Sequence, residues 1–160
     1  MRLLIAAVGR LKAGPERELL GRYVERANAA GRAVNLAPLE MTEIAESAAR
    51  RADDRIAEES AKLEAAVPKG AQRIVLDSCG RTLSSEEFAT KLAAFRDRGT
   101  PLVAFLIGGA DGLTGSLRTG ADLAISYGAA TFPHQIVRIL LAEQIYRAIT
   151  ILSGHPYHRA

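Results

Sequence analysis

Two apolar runs end in small residues, and that is where chemistry can gather. Leu102–Ile107 (LVAFLI) leads straight into Gly108-Gly109-Ala110-Asp111-Gly112, and Asp122–Tyr127 (DLAISY) into Gly128-Ala129-Ala130. A buried strand that stops in glycines has its carboxyl end in a crevice, where open α/β sheets bind ligands. Glycine also lets a ligand approach the main chain closely. No Lys or Arg adjoins Gly-Gly-Ala-Asp-Gly, so the loop suits a nucleoside without a phosphate. The same five residues can equally be a tight strand-to-helix turn with no ligand. There is no G-x-x-x-x-G-K-[ST] loop and no G-x-G-x-x-G after the first strand. ATP or GTP hydrolysis and dinucleotide binding therefore lack their usual phosphate cradles.

The second candidate is the C-terminal segment, at or near which lie all three histidines, His134, His155 and His158. Ser153-Gly154-His155-Pro156-Tyr157-His158-Arg159-Ala160 admits three readings. It is a frayed polar end, as terminal residues usually are. Or His155-x-x-His158 binds a metal, although no Cys or carboxylate cluster accompanies it. Or it faces RNA, with Tyr157 stacked on a base and Arg159 on a phosphate. Elsewhere, Glu143 and Arg147 have the i, i+4 spacing of a helical ion pair. Asp111 can fix the glycine turn through its own backbone. Cys79 reads as an inert small apolar residue.

The elements that would position these groups alternate. Arg2–Val8 reads as a buried strand closed by Gly9. Gly14-Pro15 opens a helix whose Glu16 and Glu18 favour its positive end. Ala33–Leu39 reads as a second strand. Thr42 is placed to cap a long helix to about Val67, with Ile44, Ala48, Ala52, Ile56 and Leu63 as a thin apolar stripe. Gln72–Asp77 is a third strand, ending at Asp77-Ser78-Cys79-Gly80. Ser84-Ser85-Glu86-Glu87 forms a capping box for a helix that ends at Gly99. After the Leu102–Ile107 strand come a helical piece around Ser116–Arg118, the Asp122–Tyr127 strand and a helix from about His134 to Leu152. Strands alternating with helices mean α/β with a largely parallel sheet. The last helix is apolar nearly all round, so it must be covered on several sides. A second copy of the chain, in a homodimer, is the expected cover.

Length and composition agree. With 160 residues, 48% hydrophobic, one globular domain spanning 1–160 is expected. The formal net charge is +3, and acidic residues concentrate in Glu40–Glu64, so both ends are free to meet an anion. Cys79 is the only cysteine, which excludes an intrachain disulfide and fits a reducing, cytoplasmic setting. The longest apolar segment, Ile136–Leu152, carries Arg138, Glu143 and Arg147, which argues against a membrane span.

Taken together, IVLD, FLIGGADGL, YGAATFPHQIVRILLAEQIYRA and the terminal HPYHR closely resemble one family. It is the bacterial large-subunit ribosomal RNA pseudouridine methyltransferases, the small single-domain members of the SPOUT superfamily. The resemblance is strongest over Leu102–Arg159 and weakest over Gly9–Glu64. It implies a deep C-terminal trefoil knot, a topology that periodicity does not reveal. It implies S-adenosylmethionine bound among three loops, at Leu76, at Gly109 and at Gly128, Ala129, Ala130, Thr131, Phe132 and Pro133. It implies methyl transfer to N3 of a pseudouridine in large-subunit ribosomal RNA, within assembled ribosomes. Arg138, His155 and Tyr157 become candidate substrate contacts. His158 and Arg159 become candidate catalytic residues, His158 as a base by residue type. No metal is implied. The rival readings are a non-catalytic RNA-binding or ribosome-assembly factor, and methylation of a different RNA base.

Overall fold

The computed structural model describes residues 1–158. Its centre is a strand with no exposed residue, β4 (Leu102–Ile107). Strand β1 (Arg2–Val8) pairs with it in parallel, and β1 is buried from Leu3 to Val8. Alternation along these strands feeds two cores. Leu3, Ile5, Ala7, Val103, Phe105 and Ile107 face one layer, and Leu4, Ala6, Val8, Ala104 and Leu106 face the other. Strands covered on both faces read as continuous apolar runs, which is why both were legible. A fully buried Leu, Ile or Phe contributes roughly 1.5–3 kcal/mol.

Five strands make one sheet, in the order β2 (Leu39–Ile44), β1, β4, β3 (Gln72–Thr82) and β5 (Leu123–Ser126). Every pairing is parallel. All five carboxyl ends therefore lie along one edge. On one face pack α1 (Pro15–Gly31), α3 (Ser85–Asp97) and α5 (His134–Ser153); on the other pack α2 (Ala52–Ala66) and α4 (Gly115–Thr119). The α/β, largely parallel expectation holds.

Local signals explain the boundaries. Pro15 starts α1, with Glu16 and Glu18 in its first turn. The capping box at α3 is present in full: the Glu87 amide donates to the Ser84 hydroxyl at 3.2 Å, and the Ser84 amide donates to the Glu87 carboxylate at 2.8 Å.

Five expectations need correction. The second strand is not Ala33–Leu39. That stretch begins as a 3₁₀ turn (Arg32–Val34), Asn35 follows at φ 56°, and β2 starts only at Leu39. Thr42 caps no helix: it lies inside β2, and α2 starts ten residues later. Of the proposed stripe only Leu63 is fully buried, because Ile44 and Ala48 precede the helix. Strand β3 does not stop at Asp77 but continues to Thr82, with an irregularity between Leu76 and Arg81 where it follows β5. Finally, α5 is covered largely within the chain. Leu141, Ala142, Ile145, Ala148 and Ile149 are fully buried, Tyr146 packs on Tyr23 of α1, and Gln144 accepts a hydrogen bond from Ser85 of α3. Ile136, at 37% exposure, is the large apolar residue of α5 left open. The apolar content of α5 therefore does not by itself require a second subunit.

At Gly80, β3 and β5 come too close for a side chain. A Cβ there would stand 2.6–2.8 Å from the main chain of Ala124 and Ile125. Gly80→Ala has to part the two strands, so it should lower stability by about 2 kcal/mol in urea unfolding.

Candidate functional site

The carboxyl edge opens into a cavity of about 250 Å³ between the ends of β3, β4 and β5 and the first turn of α5. Leu76, Asp77 and Ser78 form one wall. Ile107–Ala110, Gly112 and Leu113 form the second. Ile125–Gly128, Ala130, Thr131 and Phe132 form the third, and His134 and Val137 close the side. The main chain is held open by local devices. The Ser126 hydroxyl accepts from the Gly128 amide at 3.1 Å. Gly128 sits at φ +113°, with open space where a Cβ would stand, a conformation that side chains resist. The Gly112 amide donates to the Gly109 carbonyl at 3.1 Å, closing the glycine turn.

Leu76, Gly109, Gly128, Ala130, Thr131 and Phe132 thus converge on one cavity, while Ala129 and Pro133 share the loop without lining it. Pro133 instead caps the start of α5. Phe132, 39% exposed, stands at the mouth.

Gly109 has a different reason for being glycine than ligand clearance. A Cβ there would lie 2.5 Å from Glu59 Oε2 and 3.2 Å from Val8, on the side of α2. Glu59 is 4% exposed; its Oε1 accepts from the Ser47 amide at 2.9 Å, and its Oε2 has no hydrogen-bond partner. Asp111 is engaged outside its own turn, which the Gly112 amide closes instead. It pairs with Arg55 of α2 at 2.7 Å, and that hydrogen bond holds its carboxyl below the usual range. The glycine loop is therefore clamped to α2 from two sides.

Arg138 is not a surface contact in this chain. It is 0% exposed, donates to the Val8 carbonyl and faces Glu43 at 3.3 Å. Burial lowers its pKa, against the pull of Glu43 and Glu46. Glu43 also accepts from the Leu11 amide at 2.9 Å and meets Arg17 at 3.4 Å. This hub ties the first turns of α5 to the ends of β1 and β2. Sequence reasoning missed it, because an Arg flanked by apolar residues in a helix looks like a surface group. The signal was the isolation of its charge.

The tail folds back on its own chain. Tyr157 packs on Tyr146 with ring centroids 4.7 Å apart, lies under the Arg147 guanidinium at 4.9 Å, and donates its hydroxyl to Glu143 at 3.1 Å. Burial, hydrogen bonding and the Glu143 charge push the Tyr157 pKa up. The anticipated Glu143–Arg147 pair is present at 2.5 Å and is the centre of this cluster. His158 Nε2 lies 2.8 Å from Glu86 of α3, and His155 Nδ1 accepts from the Tyr157 amide. His155, Tyr157 and His158 are thus brought together with one another, but not with the cavity. The expectation for Arg159 lies outside the described residues. Cys79 is exposed rather than packed as an apolar residue.

Residues 1–158 match the family described as "Predicted SPOUT methyltransferase". A "Ribosomal RNA large subunit methyltransferase H" of Xanthobacter autotrophicus is 64% identical over 160 residues, the whole of both chains. A protein of the same name from Rhodopseudomonas palustris is 56% identical over the whole of both chains. Another, from Methylobacterium nodulans, is 54% identical over 99% of this chain and 98% of its own.

The contact between Gly109 and Glu59 makes a stability prediction. Gly109→Ala should lower the melting temperature, and Glu59→Ala in the same chain should recover part of that loss, since the clash is mutual. A double-mutant cycle checks it; strictly additive shifts would place the strain elsewhere.

Proposed function

The chain belongs to the SPOUT methyltransferase family, and from that premise we propose that it methylates N3 of a pseudouridine in large-subunit ribosomal RNA, using S-adenosylmethionine. The observation that carries this is the cavity itself, built from three loops of small residues at one edge of a parallel sheet. Its residues fit the cofactor. Leu76, Ile107, Ile125 and Val137 offer apolar faces for a flat ring, and exposed main chain at Gly109 and Gly128 offers polar atoms to read its edge. Among the described residues no Lys or Arg lines the cavity, which suits a ligand that carries a positive charge. Bound there, S-adenosylmethionine supplies an activated methyl group. The protein then has to align the base and take up its N3 proton. The relatives named above support large-subunit RNA as the substrate, and the HPYHR ending supports the pseudouridine.

The remaining parts of the reading follow. Residues 1–160 act as one domain, threaded into the trefoil knot of the family. Membership of the family over residues 1–158 supports that threading. Two chains form a homodimer in the cytoplasm and act on assembled ribosomes. No helix among the described residues is long and apolar enough to cross a membrane. His155, Tyr157, His158 and Arg159 serve the RNA. Because the described tail residues lie away from the cavity of their own chain, they complete the site of the second copy.

Calorimetry with S-adenosylmethionine separates the enzyme from a pure assembly factor, which has no use for the cofactor. Mass spectrometry of ribosomal RNA from cells lacking the protein, with and without its return, identifies the modified base. Deleting Tyr157–Ala160 should leave cofactor affinity within about twofold and abolish methylation. Loss of cofactor binding on deletion would contradict the assignment of the tail to RNA. Sedimentation as a single chain at micromolar concentration would overturn the dimer.

A further inference from the structure

Three titratable groups line the cavity among the described residues: Asp77, Tyr127 and His134. Asp77 is committed. Its Oδ1 accepts from the Cys79 amide at 2.9 Å, its Oδ2 faces Arg118 at 3.5 Å, and its side chain is 11% exposed. Tyr127 keeps its proton, since burial and the Glu143 charge raise its pKa, and its hydroxyl is buried without a partner. His134 is left. It is the first residue of α5, and a quarter of its side chain is exposed, which puts the ring at the mouth. The ring rests over Gly9: a Cβ there would stand 3.1 Å from His134 Nε2, 2.8 Å from Glu46 Oε1 and 3.3 Å from an Arg138 nitrogen. Glu46 Oε1 is 3.9 Å from Nε2. Glu46 thus faces the ring on the Gly9 side, and Arg138, buried one turn on, fixes the helix end that carries the ring.

We propose that His134 is the catalytic base, with Glu46 as its positioning partner. This rests on the methyl-transfer reading above. The N3–H proton passes to the imidazole, the freed N3 pair forms the bond to the methyl carbon, and sulfur keeps the pair of the broken S–C bond. The proton later leaves to water. His158, whose Nε2 lies against Glu86 on α3, then holds RNA rather than its proton.

The test uses the full-length protein, S-adenosylmethionine and large ribosomal subunits that lack the modification. At saturating S-adenosylmethionine, with occupancy checked by calorimetry, His134→Ala should slow single-turnover methylation by roughly a hundredfold or more. Added imidazole should restore part of the rate, because the space beside Gly9 is emptied. Glu46→Gln should give a smaller loss. Without cofactor, exchange of the His134 C2 hydrogen, followed by mass spectrometry, should slow when subunits are added. Where alanine disturbs cofactor binding, His134→Asn decides. A near-wild-type rate in either variant overturns the inference, as does imidazole rescue of His158→Ala in place of His134→Ala. Wild-type protein that transfers no methyl group to RNA overturns the underlying reading instead, and this inference with it.

Discussion

A guanidinium with no exposure fastens α5 to the sheet. Arg138 holds the Val8 carbonyl at the end of β1 and Glu43 in β2, so the first turns of α5 cannot drift from the carboxyl edge. Breaking a buried pair by removing one partner typically destabilises by about 3–5 kcal/mol, because the other charge is stranded. Here the consequence is also geometric. His134 and Val137 form a wall of the cavity only while that turn is held. The opposing walls depend on β4, whose neighbours β1 and β3 fix it on both sides.

The second support is the clamp between the glycine loop and α2. Arg55 with Asp111 and Glu59 beneath Gly109 hold the loop from the face opposite α5. One helix face positions the mouth of the cavity and the other layer positions its floor. That division follows from the alternation of side chains along β1 and β4.

Legibility followed burial. β4 was read to the residue, and β1 likewise, because strands covered on both faces leave an unbroken apolar run. The α3 boundary was legible because Ser84 and Glu87 satisfy each other locally. β2 was not. It lies at the sheet margin with most residues half-buried, and its LEMTEI pattern resembles the start of an amphipathic helix. The far end of β3, DSCGRT, is polar and contains glycine, and only its neighbour β5 makes it extended. Among site residues, the small-residue loops were visible as punctuation, but the direction each glycine faces was not. Gly128 opens on space and Gly109 on Glu59, a difference set by long-range packing. Arg138 belongs to the same class: its partners lie 95 and 130 residues away in the chain.

The chain order of the cavity walls has a consequence for synthesis. The first strand is made well before the helix that grips its end, since Val8 and Arg138 lie 130 residues apart in the chain. A nascent chain that stops short of α5 has its α1, α3 and sheet surfaces bare where Leu141, Ile145 and Ile149 later sit. It also has an incomplete pocket wall. Such a chain is exposed to chaperones and to aggregation until the final helix docks. The cavity is therefore complete only once α5, which supplies His134 and Val137, has been made and docked.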